Sequence, residues 1–120
     1  EDYMFAAPIN IFSLAYPETT SNWSNRFQMF RTQNMWTFIL LDSYNGRLWQ
    51  VQYSTQDLDN LFCIPINKYE LVSDNEKCIF SIQPLTSMYQ YYLINDNTGD
   101  MWKFQWSTKG DDYRWIEKFK

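Results

Sequence analysis

Residues 35–55 read MWTFILLDSYNGRLWQVQYST, and residues 88–108 read MYQYYLINDNTGDMWKFQWST. Aligned without a gap, the two segments are identical at seven of 21 positions, and three further positions are aromatic in both. Similarity at this spacing of 53 residues extends to the segments 59–63 and 112–116. The chain therefore contains a tandem repeat, and its fold must accommodate two copies of one structural unit.

A second match helps to define the bounds of the two copies. Residues 2–10 align with residues 59–67 at an offset of 57, and the segment that starts at Asp112 is a third copy of this short sequence. We predict a single all-β domain over residues 1–120, with internal repeats at about 8–64 and 65–120. Propellers share strands between their ends in a related way, but they need about four or more blades.

Apolar and polar residues alternate with a period of two in both copies, as they do in half-buried β-strands. Trp49, Val51 and Tyr53 alternate with glutamines in the first copy, and the second copy repeats this pattern. Because the aromatic residues share one face of each strand, this face is expected to provide most of the core. Strands are predicted over the following ranges: 3–6, 9–15, 26–31, 35–42, 47–54, 61–66, 69–72, 78–83, 89–95, 101–107 and 113–119.

The predicted fold is all-β, with two tandem antiparallel β-meander repeats forming one pseudo-symmetric small barrel or sandwich. Gly46 and Gly99 each end a short polar segment between two strands, which is typical of a tight hairpin with the glycine at positive φ. Cys63 and Cys78 could close a loop of about 15 residues as a disulfide, or each could serve as a small apolar residue.

The hairpin of the first copy resembles a unit in small bacterial proteins that carry tandem copies of an Asp-x-x-x-Gly-x-x-Trp-Gln-Val-Gln hairpin. The resemblance extends over residues 26–120, and it implies a repeat architecture and a bacterial origin but no particular activity. The second copy departs from this pattern, with Asn95 in place of Asp42 and Lys103–Phe104 in place of Gln50–Val51. This departure argues against one binding role shared by both hairpins.

The composition argues against several classes of function. The chain has no histidine, the commonest general base and metal ligand, so we predict no enzyme, no catalytic residue, no metal site and no cofactor. A net charge of −4 provides no excess of basic side chains for nucleic acid. The longest mostly apolar run, residues 35–41, is far shorter than the roughly 20 residues of a membrane-spanning helix, so no membrane insertion is expected.

Two sets of oxygen-bearing side chains are candidates for chemistry. Residues 96–100 gather oxygen ligands in one loop, but their spacing differs from that of an EF-hand calcium loop. Acid pairs of the glycosidase type could form among the following carboxylates: Asp57, Asp59, Asp111, Asp112 and Glu117. Solvated charges in polar loops are the simpler interpretation of both sets, because no feature of the sequence predicts a raised carboxyl pKa.

The aromatic content is the strongest indication of function. Six Trp, nine Tyr and nine Phe exceed what a core of 120 residues normally requires, and exposed rings can stack on sugars or anchor a protein partner. Trp23, Tyr44 and Tyr113 lie in or beside predicted loops, where their rings would be accessible. Gln52 and Gln105 match between the copies, which predicts a hydrogen-bonding role across strands or toward a ligand.

We therefore predict a non-catalytic binding module that recognises a glycan or a protein through exposed aromatic residues. The alternative is a small acidic inhibitor or immunity-type protein that blocks a basic partner, a role that the size and charge allow. An unpaired edge strand from the repeated terminal segment would permit a homodimer. The chain begins with Glu1 rather than Met, which favours export to the periplasm or cell surface after removal of a signal peptide and leaves localisation open.

Overall fold

The computed structural model describes residues 25–54, 61–73 and 77–120. These residues contain eight β-strands and one short 3-10 helix, and they contain no α-helix. The strands are β1 Phe27–Arg31, β2 Thr37–Asp42, β3 Arg47–Gln52, β4 Phe62–Pro65, β5 Phe80–Pro84, β6 Gln90–Asn95, β7 Met101–Gln105 and β8 Trp115–Lys118, with the 3-10 helix at Asp111–Tyr113. The prediction of an all-β fold is confirmed.

The described strands form two four-stranded antiparallel sheets, and each sheet is a meander in which neighbours in sequence pair. The first sheet has the order β1-β2-β3-β4, and the second has the order β5-β6-β7-β8. Phe27 and Phe80 begin their first strands, and Phe62 and Trp115 begin their fourth strands, so the sheets reproduce the sequence repeat. Two tandem β-meander repeats are therefore confirmed, and the described strands do not close into a barrel.

Some predicted strands differ from the observed ones. The strands predicted over 3–6 and 9–15 lie outside the described residues. The strand predicted over 69–72 is wrong, because this segment is a chain of bends between the two sheets. Leu71 donates its N–H to the carbonyl of Asn45, which lies in a turn, so the segment has no strand to pair with there.

Both predicted hairpin glycines have positive φ, +83° at Gly46 and +80° at Gly99. Each turn is also closed by the side chain that ends the preceding strand. Asp42 Oδ1 accepts the N–H of Tyr44 at 3.1 Å. Asn95 Oδ1 accepts two backbone N–H groups of its own turn, at 2.9 and 3.1 Å. Because Asp and Asn readily accept such local hydrogen bonds, the two turns keep the same geometry with different residues.

Opposite faces of the two repeats are buried. In the second sheet the aromatic face is inside, with Trp102 and Phe104 buried. In the first sheet the inside face is the other one, with Ile39 and Leu48 buried and the ring of Trp49 half-buried on the far side. The expectation that the aromatic face forms the core is therefore right for the second sheet and wrong for the first. The aromatic side of the second sheet packs against the non-aromatic side of the first, so equivalent faces of the two sheets are not both inside.

A single hydrophobic core joins the two sheets. Its buried apolar side chains are Ile39, Leu41, Leu48, Ile66, Phe80, Ile82, Tyr91, Leu93, Trp102, Phe104 and Trp106. Aromatic rings from the second sheet meet aliphatic side chains from the first, and burial of this apolar surface is the main favourable contribution to folding.

A buried amide on β3 links the first sheet to the segment that follows β7 in the second. Gln50 Nε2 donates to the carbonyl of Ser107 at 2.9 Å, and the N–H of Ser107 donates to Gln50 Oε1 at 3.1 Å. Arg114 Nε donates to the same oxygen at 2.8 Å. Near one edge, the N–H of Phe80 donates to the carbonyl of Ser43 at 3.1 Å. These bonds fix the relative position of the two sheets.

Alanine at Gly46 is expected to destabilise the protein more than alanine at Gly99. Both substitutions place a Cβ at positive φ, which costs about 1 kcal/mol or slightly more. A Cβ on Gly46 would also lie 2.9 Å from Leu71 Cδ1 and 3.0 Å from Phe80 Cζ. Overpacking of this kind adds about 1–3 kcal/mol. Urea denaturation of both variants measures the difference, and equal losses of unfolding free energy would contradict the tight contact at Gly46.

Replacing Gln50 by alanine is expected to lower the unfolding free energy by about 2–4 kcal/mol, because the Ser107 N–H and the Arg114 side chain lose a buried acceptor. Gln83→Ala is a suitable control, since Gln83 is an exposed glutamine on β5. This control should change stability by no more than about 0.5 kcal/mol. Thermal and urea unfolding curves give both values, and similar effects of the two substitutions would argue against the amide link.

Candidate functional site

The outward side of the first sheet carries a continuous set of apolar and aromatic side chains, which we call the aromatic face. Its members are Phe27, Met29, Phe38, Leu40, Trp49, Val51 and Tyr53. Strand register brings them together, because Leu40 lies between Met29 and Trp49 and Phe38 pairs with Val51. All are exposed or half-buried, with Phe27 the most open at 47%. Apolar patches of this kind mark binding surfaces on soluble proteins.

The rings of the aromatic face contact one another in two groups. Phe27 and Trp49 lie with their centroids 6.5 Å apart. Tyr53 lies 6.0 Å from Phe38 and 5.3 Å from Trp36, which it meets edge to face at 67°. Such contacts restrict ring motion before any partner binds, and this reduces the entropy that binding must remove.

Two arginines lie at one end of the aromatic face. The guanidinium of Arg47 lies 4.9 Å from the Trp49 ring centroid. That of Arg26 lies 4.8 Å from the Tyr44 centroid and 5.1 Å from the Phe27 centroid. Cation–π contacts of this length are favourable and hold both guanidinium groups over the rings. This end of the face therefore combines aromatic surface with positive charge.

The buried carboxylate of Asp42 holds Arg26 in this position. Its Oδ1 accepts from Arg26 Nε at 3.0 Å and its Oδ2 from Arg26 Nη2 at 3.1 Å, a bidentate pair. Asp42 also closes the turn that carries Tyr44, so one carboxylate orients both the arginine and the tyrosine. Bidentate Arg–carboxylate pairs have a strict geometry, which makes this arrangement stiff.

The structure does not gather the loop aromatics predicted from sequence into one site. Trp23 lies outside the described residues. Tyr44 lies at the turn between β2 and β3, at the end of the aromatic face. Tyr113 belongs to the second sheet, where it ends the 3-10 helix before β8, is 49% exposed and lies 5.5 Å from Lys109 Nζ. Of the two described rings, Tyr44 lies beside the aromatic face and Tyr113 does not.

The two matched glutamines occupy different surroundings. Gln105 lies on the outward face of the second sheet, where it accepts from the cross-strand Gln90 at 2.8 Å and donates to the Tyr113 carbonyl at 2.9 Å. Gln52 lies on the inner side of the first sheet and accepts a longer bond, 3.4 Å, from Gln50. Both side chains are engaged within the protein, and neither lies on the aromatic face.

Sequence reasoning missed Trp49, Phe27 and the two arginines as site residues. Alternation assigned the rings to the core, and neither cation–π contact is visible as a motif. The repeat itself indicates that one set of these rings is exposed. When two equivalent sheets stack in tandem, only one of their aromatic faces can be covered by the other sheet.

The acidic candidates take part in local hydrogen bonds. Asp96 Oδ1 accepts from the Ser81 hydroxyl at 2.9 Å, Asp100 Oδ2 accepts from that of Thr98 at 3.1 Å, and Asp111 pairs with Arg114 at 2.9 Å. Within residues 25–54, 61–73 and 77–120, no group of three or more Cys, Asp or Glu side chains could hold a metal ion. In the same ranges no helix has the length and apolarity to span a membrane. Two candidate carboxylates, at positions 57 and 59, lie outside the described residues.

A separate groove of about 590 Å³ lies between the sheets, near the ends of β1 and β5. It is lined by Phe30, Arg31, Thr32, Gln33, Ile82, Pro84, Leu85, Ser87, Met88 and Tyr91. Burial raises the pKa of the Tyr91 hydroxyl, which lies 3.5 Å from the carbonyl of Arg31. The groove is mainly apolar, and its charged residue, Arg31, has no carboxylate among the lining residues.

No protein-family model matches this chain, and no curated protein or solved structure shows significant similarity to it. The function is therefore inferred from the geometry of the site.

Both described cysteines are free thiols, and no disulfide joins Cys63 to Cys78 in the structure. Cys63 lies on β4 beside Val51, at the margin of the aromatic face, and burial raises the pKa of its thiol. Because only the thiolate reacts, Cys63 in a Cys78→Ser variant should react slowly with Ellman's reagent near pH 8 and faster as pH rises. A pH series in native buffer measures this, and protein with no reactive thiol would contradict the assignment.

Proposed function

We propose that the protein is a non-catalytic binding module that contacts a protein partner through the aromatic face. The carrying observation is the set of ordered, partly exposed rings on the outward side of the first sheet, with Arg26 and Arg47 at one end. Trp, Tyr and Arg are the residue types most enriched among binding hot spots. Their combination on one flat sheet suits a broad protein surface.

The ring geometry favours a protein over a glycan. A sugar ring stacks on a free, flat aromatic surface, and the surfaces of Trp49 and Phe27 are already in contact with guanidinium groups. Trp36 meets Tyr53 edge to face. A protein partner can use such a surface, because its side chains pack against ring edges and arginine stems as well as ring faces.

The polar chemistry of the aromatic face suits binding rather than catalysis. Its charged groups are the guanidiniums of Arg26 and Arg47 at one end, that of Arg31 opposite Phe38, and one carboxylate, Asp42, which is buried and paired with Arg26. Among the described residues of this face, no side chain other than Asp42 carries a carboxylate, so the face has no pair of acidic groups for proton transfer.

The charges also indicate the nature of the partner. Arg26 and Arg47 put positive charge at one end of the aromatic face, so a complementary partner is apolar at its centre and acidic at that end. This disfavours the alternative role of an acidic inhibitor that binds a basic protein, at least through this face. An association rate that falls as salt increases is expected, since opposite charges attract the partner.

The proposal is tested by photo-cross-linking in lysate of the native cell. Benzoylphenylalanine at position 38, on the aromatic face, should give a cross-linked protein of defined mass. The same residue at exposed position 86, in the loop between β5 and β6, should not. Arg47→Glu should lower the cross-linked yield about tenfold or more, because a hot-spot contact is worth about 2 kcal/mol.

Two results would overturn this assignment. Equal cross-linking from positions 38 and 86 would remove the special role of the aromatic face. A saturable change in tryptophan emission on titration with soluble polysaccharides, abolished by Trp49→Ala, would replace the protein partner with a glycan. The polysaccharide titration is expected to be flat.

A further inference from the structure

The two sheets of this chain stack front to back. The second sheet places its aromatic side against the non-aromatic side of the first, so each sheet contributes a different face to the shared core. Through the repeat, the outward Phe27, Phe38 and Trp49 correspond to Phe80, Tyr91 and Trp102, which are buried against the first sheet. A surface equivalent to the aromatic face therefore already packs on a sheet within this chain.

The surface that would receive the aromatic face is also present. The outward side of the second sheet, which we call the receiving face, corresponds position by position to the side of the first sheet that the second sheet covers. Tyr92, Ile94 and Met101 of the receiving face correspond to Ile39, Leu41 and Leu48. All three are apolar and half-exposed. Polar side chains on the same side of the sheet surround them: Ser81, Gln83, Gln90, Lys103, Gln105 and Glu117.

We propose that the aromatic face of one chain binds the receiving face of a second copy of this chain, repeating between molecules the stacking of the two sheets within one molecule. This inference rests on the proposed function, because it names the protein partner of the aromatic face. The intramolecular interface provides the template for each contact.

The polar contact of Gln50 carries over between molecules with two substitutions. Leu61 occupies the position of Arg114 and provides no guanidinium. Lys103 occupies the position of Gln50, and Ser54 that of Ser107. The ammonium of Lys103 can donate to the Ser54 carbonyl of the next copy, as Gln50 Nε2 does to the carbonyl of Ser107. The intermolecular contact therefore keeps a donor for the serine carbonyl but has no acceptor for the serine N–H. This makes it weaker than the contact within the chain.

The two turn glycines are equivalent in the repeat, but only Gly46 is covered by the second sheet. A Cβ on Gly46 would lie 3.0 Å from the Phe80 ring, because the second sheet packs closely on this turn. A Cβ on Gly99 would meet no heavy atom of the described residues within 4 Å. Gly99 is therefore open at the place where Phe27 of a second copy, the equivalent of Phe80, would lie.

The size of the surface indicates a weak, concentration-dependent association. Four strands about 4.8 Å apart, each of four to six residues at about 3.3 Å, give a face of roughly 19 by 17 Å. Such a face is small for a permanent interface. Unlike faces that bind each other also leave one face of each kind free, so association continues beyond a dimer into rings or filaments.

Sedimentation velocity tests the proposal with two variants that each remove one face. Phe38→Glu places a charge on the aromatic face, and Met101→Glu places one on the receiving face. The wild-type chain should show a weight-average sedimentation coefficient that rises between about 10 and 500 µM, past the value of a dimer. Each variant alone should stay monomeric. An equimolar mixture should form a one-to-one dimer, because each variant retains the face that the other lacks.

Matched controls keep the result interpretable. Thr86→Glu, at an exposed position in the loop between β5 and β6 and outside both faces, should associate like the wild type. Circular-dichroism melts show whether each variant is folded, and Leu40→Glu and Ile94→Glu provide a second pair if the first pair unfolds. A wild type that stays monomeric, a mixture that stays monomeric, or association that stops at a dimer and resists Met101→Glu would overturn the proposal.

Photo-cross-linking at position 38 separates this inference from the proposed function. A product joined to residues 90–105 of a second copy supports both. A product with a different protein leaves the binding function standing and overturns the self-association. A product within one chain, joined to residues 1–24, overturns both, because the aromatic face would then be covered from inside the molecule.

Discussion

The amide of Gln50 is the contact on which the arrangement of the two sheets depends. A buried amide without partners is costly, and this one meets both the N–H and the carbonyl of Ser107 and also the guanidinium of Arg114. A displacement of one sheet along the other would break these bonds and leave the amide buried without partners. With the sheets held in this position, aliphatic side chains of β2 and β3 meet aromatic ones of β6 and β7, and the aromatic face must point outward.

Features that depend on neighbouring residues could be predicted from the sequence. The two hairpins, with Gly46 and Gly99 at positive φ, follow from turn chemistry, and most strands follow from alternation. Alternation tells which side chains share a face, but it does not tell which face is inside, so the first sheet was predicted with the wrong side buried. The strand predicted over 69–72 failed for a related reason, because Leu71 packs against a turn rather than joining a ladder.

The candidate site was harder to predict because its contacts join distant residues. Tyr44 was selected as a loop aromatic and lies beside the aromatic face, but Arg26, which packs on its ring, comes from before β1. The pairing of Arg26 with Asp42 spans 16 positions. The second repeat keeps the turn and replaces the carboxylate with Asn95, so the arginine clamp belongs to the first repeat. Divergence at these positions, with Asn95 for Asp42 and Ile79 for Arg26, gives the two hairpins different surfaces on a shared backbone.

Front-to-back stacking also affects how the two repeats can change during evolution. Leu41 has no exposed surface, whereas its counterpart Ile94 is half-exposed. Trp102 is buried, whereas its counterpart Trp49 is half-exposed. After duplication of an ancestral unit, selection for stability therefore acts on inner-side positions in one copy and on aromatic-side positions in the other. In each copy, some of these positions are not part of the core. Similarity among relatives at those positions would reflect selection on the surface. A comparison of relatives could therefore separate constraints of folding from those of binding.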